Sequence, residues 1–553
     1  MAVIPQTASA SAAGAPRWRR FLTPWRSPAD QPAWARPALL AVAVVAAVAY
    51  GWGMAGASVE PFYGAAARSM SQSWHDFIFG AFDPAGTVTV DKLPGALWVQ
   101  ALSLRVFGFH IWALVLPQVA EGVLTILALY RAVRRLAGPA AGLTAAAVLA
   151  VTPVTVLLGR GNVSDSLLIL LLVLAADATS AALVTGSLRQ LLLAGVWVGL
   201  AFQAKMIQAW LALPALAAAY LLAAPAARLR TRCAHVALAG LVTVVVSLSW
   251  MTAVSLVPSQ DRPYVDGSAN DSVYTQVFDY NGLGRLTGNW ATTAGPVSPL
   301  VIAATKSGQS LTAETLGIKP SWHRLLAGPF AADSGWLLPA AVVGAAGVLM
   351  SRRRRGRRDP LRAAVVLWGG WWLILAVFFS TGVFINAYYV AALVPAAAAL
   401  CGGPFDTPFE SAKTAHDSRA LAADAPAVTR TVQRLERATP PGDALLGTDT
   451  SGAADIYILY SGREVLPIGG YLGNVPAPTL ATLQADISRG YVRIFILPVS
   501  PAGPDPRVRW LESHCARQAP PPDARPVPSA TFVCGLPAAH PVPAPPVPAP
   551  PSG

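Results

Sequence analysis

The sequence predicts an all-α polytopic membrane domain of about ten transmembrane helices, followed by a small soluble α/β domain. The 553-residue chain is 54% hydrophobic and only 12% charged, whereas a soluble domain carries about 25% charged residues. Apolar segments that approach the ~20 residues of a membrane helix recur up to position 401. Beyond residue 402 the composition becomes polar. An ordinary cytosolic enzyme and a disordered chain are therefore both excluded.

Ten apolar segments define the membrane domain, which we place at residues 38–402. The fifth and the eighth segments are short, and the tenth could be re-entrant. The segments span residues 38–54, 111–130, 140–158, 166–184, 191–204, 206–223, 234–257, 336–350, 361–380 and 384–401. A basic arm, residues 1–37, precedes them without a convincing cleavage site, so we expect the first segment to be a membrane anchor.

Arginines concentrate in every second connection between these segments. Examples are Arg131, Arg134 and Arg135 after the second segment, and the run from Arg352 to Arg362 after the eighth. Because basic loops stay in the cytoplasm, this asymmetry predicts a multi-pass protein of the cell membrane with a cytoplasmic N-terminus. The net charge of +13 has the same origin, since basic loops are attracted to anionic lipid headgroups. A nucleic-acid partner is not expected.

Two long connections, residues 55–110 and 258–335, fall on the outer side by this count. They carry most of the acidic residues of the membrane domain. A channel or a simple transporter more often has short loops and polar groups at mid-membrane. We therefore predict chemistry at the extracytoplasmic face.

The sequence predicts that residues 403–534 form the soluble α/β domain. Short runs rich in branched and aromatic residues alternate with helical stretches. The predicted strands are ALLGT (444–448), EVLPI (464–468) and YVRIFIL (491–497), and the predicted helices are 452–461 and 478–489. Gly469 and Gly470 follow the second strand without the G-x-G-x-x-G pattern, so nucleotide binding is not indicated.

The sequence gives conflicting indications of the side of the membrane on which this domain lies. Cys515 and Cys534 are 19 residues apart and could form a disulfide in an oxidising compartment. Ten spans would instead leave the domain in the cytoplasm. Residues 535–553 contain eight prolines and predict a disordered tail.

Lysine is rare in this chain, with five lysines against 36 arginines, and two of the five have apolar surroundings. Lys92 lies in VTVDKLPGALW and Lys205 in GLAFQAKMIQAW. An ionisable group in the membrane zone costs several kcal/mol unless it is paired or hydrated, so each lysine is a functional candidate. The alternative is a lysine that extends its ammonium group to the interface.

Two outer-face carboxylates accompany these lysines. Asp91 precedes Lys92, and Glu60 follows the first segment. A carboxylate can take the proton from an acceptor hydroxyl, and a nearby lysine or arginine can stabilise a departing phosphate. Either Asp91 or Glu60 could be the base, and the alternative is that both only solvate a loop.

Further polar residues adjoin the spans. The connection GRGNVSDS supplies Arg160 and Asp165, although an aspartate at a helix start is also favoured by the helix dipole. Glu121, inside the second segment, is a weaker candidate.

Four sequence features together resemble a known family. They are an acidic residue after the first segment, D-K-x-P at 91–94, R-G-N-x-x-D-S at 160–166 and F-x-A-K-M at 202–206. The set is similar to the membrane glycosyltransferases of the C-type (GT-C) fold, in particular the family 39 group of protein-mannosyltransferases and aminoarabinose transferases. The subgroup that it resembles most is the bacterial mannosyltransferase-like YkcA/YkcB type. The family commonly has D-K-P-P, where this chain has Leu93. The YkcA/YkcB type often has Asn in place of Glu60 and usually has further spans before its soluble domain.

The resemblance implies transfer of a sugar, such as mannose or a related hexose, from a polyprenyl-phosphate carrier to an envelope glycan, lipid or protein. It places Asp91 and Glu60 in the catalytic cleft. The candidates for binding the donor phosphate, including two outer-loop arginines, are Lys92, Lys205, Asp165, Arg160, Arg285, Tyr388 and Tyr389. A divalent cation at the acidic cleft is a further candidate. A flippase or transporter for a lipid-linked sugar and a shortened, non-catalytic carrier-lipid-binding protein are the alternative functions.

Overall fold

The computed structural model describes residues 25–225, 228–284, 319–383, 385–401, 429–498, 505–518 and 529–534. Within these ranges the chain is helical up to residue 401, and a five-stranded sheet follows. The predicted fold class, a helical membrane domain with a small α/β unit, is confirmed. The tail at 535–553 and most of the basic N-terminal arm lie outside the described residues.

The helices of the membrane domain follow the apolar segments and also occupy the first long connection. They are α1 (Ala35–Gly51), α2 (Pro61–Gln72), α3 (Trp74–Phe79), α4 (Gly95–Phe107), α5 (Ile111–Ala137), α6 (Pro139–Val151), α7 (Pro153–Gly159), α8 (Asp165–Thr185), α9 (Leu188–Lys205), α10 (Leu213–Ala223), α11 (Leu229–Ser255), α12 (Gly328–Gly335), α13 (Leu337–Ser351), α14 (Pro360–Thr381) and α15 (Ala387–Leu400). A 3-10 segment, Met206–Ala212, joins α9 to α10, and a π-helical segment occupies Thr275–Leu283.

The number of spans is smaller than the ten that hydropathy predicted. Among the described residues, six helical stretches are long and apolar enough to cross a membrane, and two bent pairs raise the number to eight. Two predicted segments, 191–204 and 206–223, belong to one helical stretch, Leu188–Ala223. The last segment forms α15, which is too short for the ~30 Å apolar core of a bilayer.

Proline explains one of the bent pairs. The axes of α6 and α7 differ by 66°, and Thr152 between them has an extended backbone, with ψ at 127°. Pro153 begins α7, and a proline lacks the N–H that would continue the preceding helix. The hydropathy of the sequence is continuous across this break, so the pattern predicted one straight span.

Helix α8 lies at the centre of the membrane domain. It packs against α5 and α9 and is apolar around its whole circumference, as expected for a buried helix. Because α8 begins at Asp165 and α9 ends at Lys205, both charged residues lie at one end of the bundle. We call this the loop end, where segments 57–110, 160–164 and 256–284 also lie.

The C-terminal unit is built on a mixed sheet of order β2-β1-β3-β5-β4. Strands β2, β1 and β3 are parallel, while β5 pairs antiparallel with both β3 and β4. The strands are β1 (Gly447–Thr448), β2 (Leu466–Pro467), β3 (Ile494–Pro498), β4 (Ala516–Gln518) and β5 (Ser529–Val533). The helices are α16 (429–438), α17 (Ser451–Ser461), α18 (Leu480–Ser488) and α19 (Pro506–His514).

The three strands and two helices predicted for this unit are present, with shifted ends. Strands β4 and β5 and helix α19 were not predicted. The disulfide between Cys515 and Cys534 joins the residue before β4 to the residue after β5. It therefore links neighbouring antiparallel strands at the edge of the sheet.

The C-terminal unit packs on the loop end of the membrane domain. Helix α17 lies along α2, and the Gln72 amide donates to the Gly462 carbonyl at 3.0 Å. The carboxylate of Glu464 accepts a hydrogen bond from the Ala85 backbone N–H at 2.8 Å. This unit and the predicted active-site residues are therefore on the same side of the bundle.

Candidate active site

A buried ion pair joins the ends of two membrane helices. The Nζ atom of Lys205 lies 2.5 Å from each carboxylate oxygen of Asp165. Asp165 is the first residue of α8 and Lys205 is the last residue of α9. Each charge is favourable there, because an anion complements the positive end of a helix dipole and a cation complements the negative end. Met206, with φ at 51°, then turns the chain away from α9.

A second ion pair lies in the first long connection. Lys92 Nζ is 3.2 Å from Asp91 Oδ1 and donates a hydrogen bond to the Tyr63 hydroxyl at 2.5 Å. The backbone of this turn is held from the second connection. The Asn281 amide donates to the Asp91 carbonyl at 2.7 Å, and the Gln276 amide donates to the Val90 carbonyl at 2.8 Å.

Glu60 caps helix α2 and is fixed by Asn162. One Glu60 carboxylate oxygen accepts the Tyr63 N–H at 2.8 Å. The backbone of Glu60 exchanges two hydrogen bonds with the Asn162 amide, at 2.6 and 3.0 Å. Burial, opposed by the hydrogen bond from the Tyr63 N–H and reinforced by the nearby Asp455, raises the pKa of Glu60 from 4.5 to about 7. This carboxyl group therefore exchanges its proton near neutral pH.

Two tyrosines of α15 complete the surroundings of Lys205. Its Nζ atom lies 3.7 Å from the ring centroid of Tyr389 and 5.3 Å from that of Tyr388. The Asn386 amide donates to the Tyr388 hydroxyl at 3.2 Å. A cation over a tyrosine ring is attracted by the negative face of the ring. Lys205 is thus held by one carboxylate and two aromatic faces.

Tyr63 connects the two ion pairs. Burial raises the pKa of its hydroxyl, and the charge of Asp91 and then that of Glu60 raise it further. Tyr389, whose ring lies against Lys205, also raises the pKa of the Tyr63 hydroxyl. The structure therefore brings Glu60, Asp91, Lys92, Asp165, Lys205, Tyr388 and Tyr389 into one cluster.

Arg160, Arg285 and Glu121 stand apart from the residues described so far. The Arg160 guanidinium donates to the Ala49 carbonyl at the end of α1, at 2.9 Å. Its role in a phosphate site stays a prediction. Arg285 lies outside the described residues. Glu121 is buried inside α5, away from the loop end.

Sequence reasoning missed Asp266 and Tyr471. The Asp266 carboxylate accepts the Tyr471 N–H at 2.8 Å and the Gly267 N–H at 2.7 Å. Burial and then the neighbouring Asp91 raise its pKa from 3.8 to about 7. The signals in the sequence were an Asp-Gly turn at 266–267 and the Gly469–Gly470 pair, neither of which reveals a contact with the site.

The described residues contain no group of three or more His, Cys, Asp or Glu side chains placed to hold a metal ion. The carboxylates of the cluster instead meet lysine or backbone N–H groups. A divalent cation at the cleft therefore has no ligand set in the described part of the chain and stays a prediction.

The architecture is that of a GT-C-like membrane protein. The crystal structure of ArnT from Cupriavidus metallidurans bound to undecaprenyl phosphate superimposes with a TM-score of 0.57. The alignment covers 91% of this chain and 99% of ArnT at 15% sequence identity. At this identity the likeness establishes the fold alone.

Sequence comparisons confirm the family resemblance. Residues 91–250 match the model described as dolichyl-phosphate-mannose-protein mannosyltransferase, and residues 431–514 match the model of the C-terminal region of YkcB-like putative mannosyltransferases. Two Bacillus subtilis (strain 168) proteins, Putative mannosyltransferase YycA and Putative mannosyltransferase YkcB, are each 40% identical over 231 residues, or 42% of this chain. These matches cover 34% and 32% of the two relatives, so the matched region is about a third of their length.

Proposed function

We propose that this protein is an integral-membrane glycosyltransferase that moves a hexosyl group, mannose or a related sugar, from a polyprenyl-phosphate carrier to an acceptor of the cell envelope. The proposal is carried by one observation: buried Lys205 and partly buried Lys92, each paired with an aspartate, form one cluster at the loop end of the bundle. The similarity to mannosyltransferases supports the type of reaction. The undecaprenyl phosphate bound to ArnT supports a lipid-linked donor.

The lysines have the capacity to bind the donor phosphate. A lysine ammonium group has three N–H donors. Lys205 directs two of them at Asp165. Lys92 donates one to the Tyr63 hydroxyl and forms an ion pair with Asp91 at 3.2 Å. Each ammonium group can therefore offer at least one further N–H to a phosphate oxygen. Lys205 ends a membrane helix, so this phosphate would lie where the lipid chain of the carrier enters the bilayer.

The proposed reaction is a direct displacement at the sugar. An acceptor hydroxyl attacks the anomeric carbon, and the bond between that carbon and the phosphate oxygen breaks. The electron pair of this bond leaves with the polyprenyl phosphate, whose added charge the two lysines stabilise. The hydroxyl proton passes to Asp91, or alternatively to Glu60, acting as the general base.

We place this chemistry at the extracytoplasmic face. Arg131 and Arg135, at the opposite end of the bundle from the cluster, pair with Asp177 at 2.6 and 2.5 Å. Basic residues at that end support its cytoplasmic assignment. The C-terminal unit, which packs on the loop end, contains a disulfide, and this supports an oxidising compartment there.

Transfer from a labelled donor tests the proposal. The full chain in lipid nanodiscs would receive polyprenyl-phospho-mannose with a radioactive sugar, together with a cell-envelope extract as acceptor. We expect loss of labelled donor and the appearance of a labelled product. Asp261→Asn, which changes an exposed acid of the second connection, is the matched control. Binding of intact donor without cleavage would contradict the proposal and favour a carrier-lipid-binding protein.

A second measurement separates a transferase from a transporter. In sealed vesicles a flippase would move the intact labelled donor between leaflets, and its sugar–phosphate bond would survive. The proposed enzyme would break that bond when the acceptor is present on the side of the loop end. Movement of intact donor without bond cleavage would overturn the proposal.

A further inference from the structure

The C-terminal unit is fixed directly against the helix that carries Glu60. The Arg68 guanidinium of α2 donates to the Leu459 carbonyl of α17 and stacks on the Phe109 ring at 3.9 Å. The Leu459 side chain packs so close to Gly64 that a Cβ there would lie 3.0 Å from it. This packing sets the position of the C-terminal unit relative to the catalytic cluster.

A glycine pair brings one turn of this unit to the second connection. Gly469 and Gly470 follow β2 and have φ angles of 95° and 68°, which side-chain-bearing residues rarely adopt. A Cβ on Gly470 would lie 2.5 Å from an Asp266 carboxylate oxygen. Only glycine therefore allows the approach in which Asp266 accepts the Tyr471 N–H at 2.8 Å.

The turn at Gly469 and Gly470 places Tyr471 next to the cluster. Its ring packs edge to face on Phe62, with centroids 4.7 Å apart, and Phe62 is two residues from Glu60. Burial raises the pKa of the Tyr471 hydroxyl, and the charges of Glu60 and Asp91 raise it further. The residue as a whole is only partly buried.

We propose that Tyr471 forms the acceptor side of the active site and binds a hexose ring of a glycan acceptor. An aromatic ring offers an apolar contact surface with a polar tip. The carboxylates of Glu60 and Asp91 are hydrogen-bond acceptors for sugar hydroxyls. Their negative charge disfavours an anionic acceptor. The inference deepens the proposed function and rests on it, because that function defines which ligand is the acceptor.

The elements that carry the cluster residues support an acceptor role for Tyr471. Asp165 and Lys205 terminate membrane helices, Lys92 lies in a loop, and Tyr471 belongs to the C-terminal unit that packs on the loop end. The carrier lipid reaches the cluster from the bilayer. A glycan acceptor would approach from the aqueous side, where Tyr471 lies.

Sugar binding measured without a donor tests this inference. The probe is methyl α-mannopyranoside, observed by saturation-transfer NMR with the full chain in nanodiscs. Tyr471→Ala should weaken its binding by about 2- to 10-fold, the loss expected for removing one aromatic contact. Tyr471→Phe should retain most of the binding. Gly470→Ala should weaken it with the ring intact, because the clash with Asp266 displaces the turn.

Matched controls and a second ligand separate the outcomes. Trp510→Ala removes an aromatic ring that stacks on His514 in α19 and should leave sugar binding unchanged. Equal binding by wild type and Tyr471→Ala, or binding of a Ser/Thr peptide but not of the mannoside, would overturn the inference. Undecaprenyl phosphate binding is measured on the same samples. If the wild type does not bind undecaprenyl phosphate, the proposed function is contradicted. The effect of Tyr471→Ala on mannoside binding is measured independently of that outcome.

Discussion

Lys205 and Asp165 occupy the ends of two packed membrane helices, whereas Lys92 and Asp91 are neighbours in a loop that other loops hold in place. The first pair is positioned by α8 and α9, which pack along their length. The second pair is positioned by hydrogen bonds from Gln276 and Asn281, more than 180 residues later in the chain. We therefore expect the helix-end pair to act mainly through Lys205 in binding the lipid phosphate. We expect the loop pair to act both through Lys92 on the phosphate and through Asp91 in the chemical step.

The largest expected effect concerns Asp91. Asp91→Asn keeps the size of the side chain but removes the proposed base, so turnover should fall about 10²- to 10⁴-fold. Donor binding should change little, because a base acts mainly in the transition state. Steady-state transfer and donor binding would be compared with those of Asp261→Asn. Unchanged turnover would assign the base to Glu60 or remove the role.

The next largest expected effect is a loss of stability when Asp165, the buried partner of Lys205, is left without its lysine. From its place beside an apolar segment alone, Lys205 would be expected to affect donor binding and not folding. The structure instead leaves Asp165 buried and unpaired in the variant Lys205→Met, a change that typically costs about 3–5 kcal/mol. We therefore expect a lower melting temperature as well as weaker binding.

A double variant separates the effect of Lys205 on stability from its effect on donor binding. Lys205→Met combined with Asp165→Asn removes the unpaired charge, so it should regain most of the thermal stability but not the donor binding. Lys92→Met should lower stability less, because Lys92 meets Asp91 in one contact at 3.2 Å, whereas Lys205 meets both Asp165 oxygens at 2.5 Å. Equal melting temperatures for Lys205→Met and wild type would show that the helix-end pair does not stabilise the fold.

A smaller effect is expected in the dependence on pH. The folded-state pKa of Glu60 is about 7, above its ordinary 4.5. If ionised Glu60 assists catalysis, turnover should rise between pH 6 and pH 8, and Glu60→Gln should abolish that rise. The folded protein holds a proton on Glu60 that the unfolded chain releases above pH 4.5. The contribution of Glu60 to stability therefore decreases as the pH rises from 4.5 to 7.

Asp266 is the control for this pH profile, because its pKa is also about 7. Asp266→Asn should leave the rise between pH 6 and pH 8 if Glu60 is responsible. A profile that is identical in wild type and Glu60→Gln would contradict the assignment to Glu60.

The smallest effect concerns the aromatic face of Tyr389. Tyr389→Phe retains a ring over Lys205, while Tyr389→Leu removes it. Loss of a cation–π contact is worth about 0.5–2 kcal/mol, so the leucine variant should bind undecaprenyl phosphate about 2- to 30-fold more weakly. The phenylalanine variant should bind nearly as well as wild type. Equal binding by all three would exclude a role for the ring in positioning the lysine.

The sequence predicted those residues whose role follows from an unusual local setting. Lys92 and Lys205 are rare lysines next to apolar segments, and the structure places both in the cluster. Asp266 and Tyr471 could not be predicted, because their contact joins residues 205 positions apart. The Arg160 contact with the end of α1 could not be predicted either, because sequence order does not show which neighbour a side chain on a short connection faces. Span number was overestimated because hydropathy does not detect the break at Pro153 or that the last apolar segment forms only the short helix α15.

A double-mutant cycle for undecaprenyl phosphate binding tests most directly whether both lysines hold one donor phosphate. The dissociation constant would be measured for wild type, Lys92→Met, Lys205→Met and the double variant, each in nanodiscs. If one phosphate contacts both lysines, each single variant binds more weakly, and the two losses are coupled by about 0.5–3 kcal/mol. Losses that add within about 0.5 kcal/mol, or unchanged binding in either single variant, would contradict a shared phosphate site.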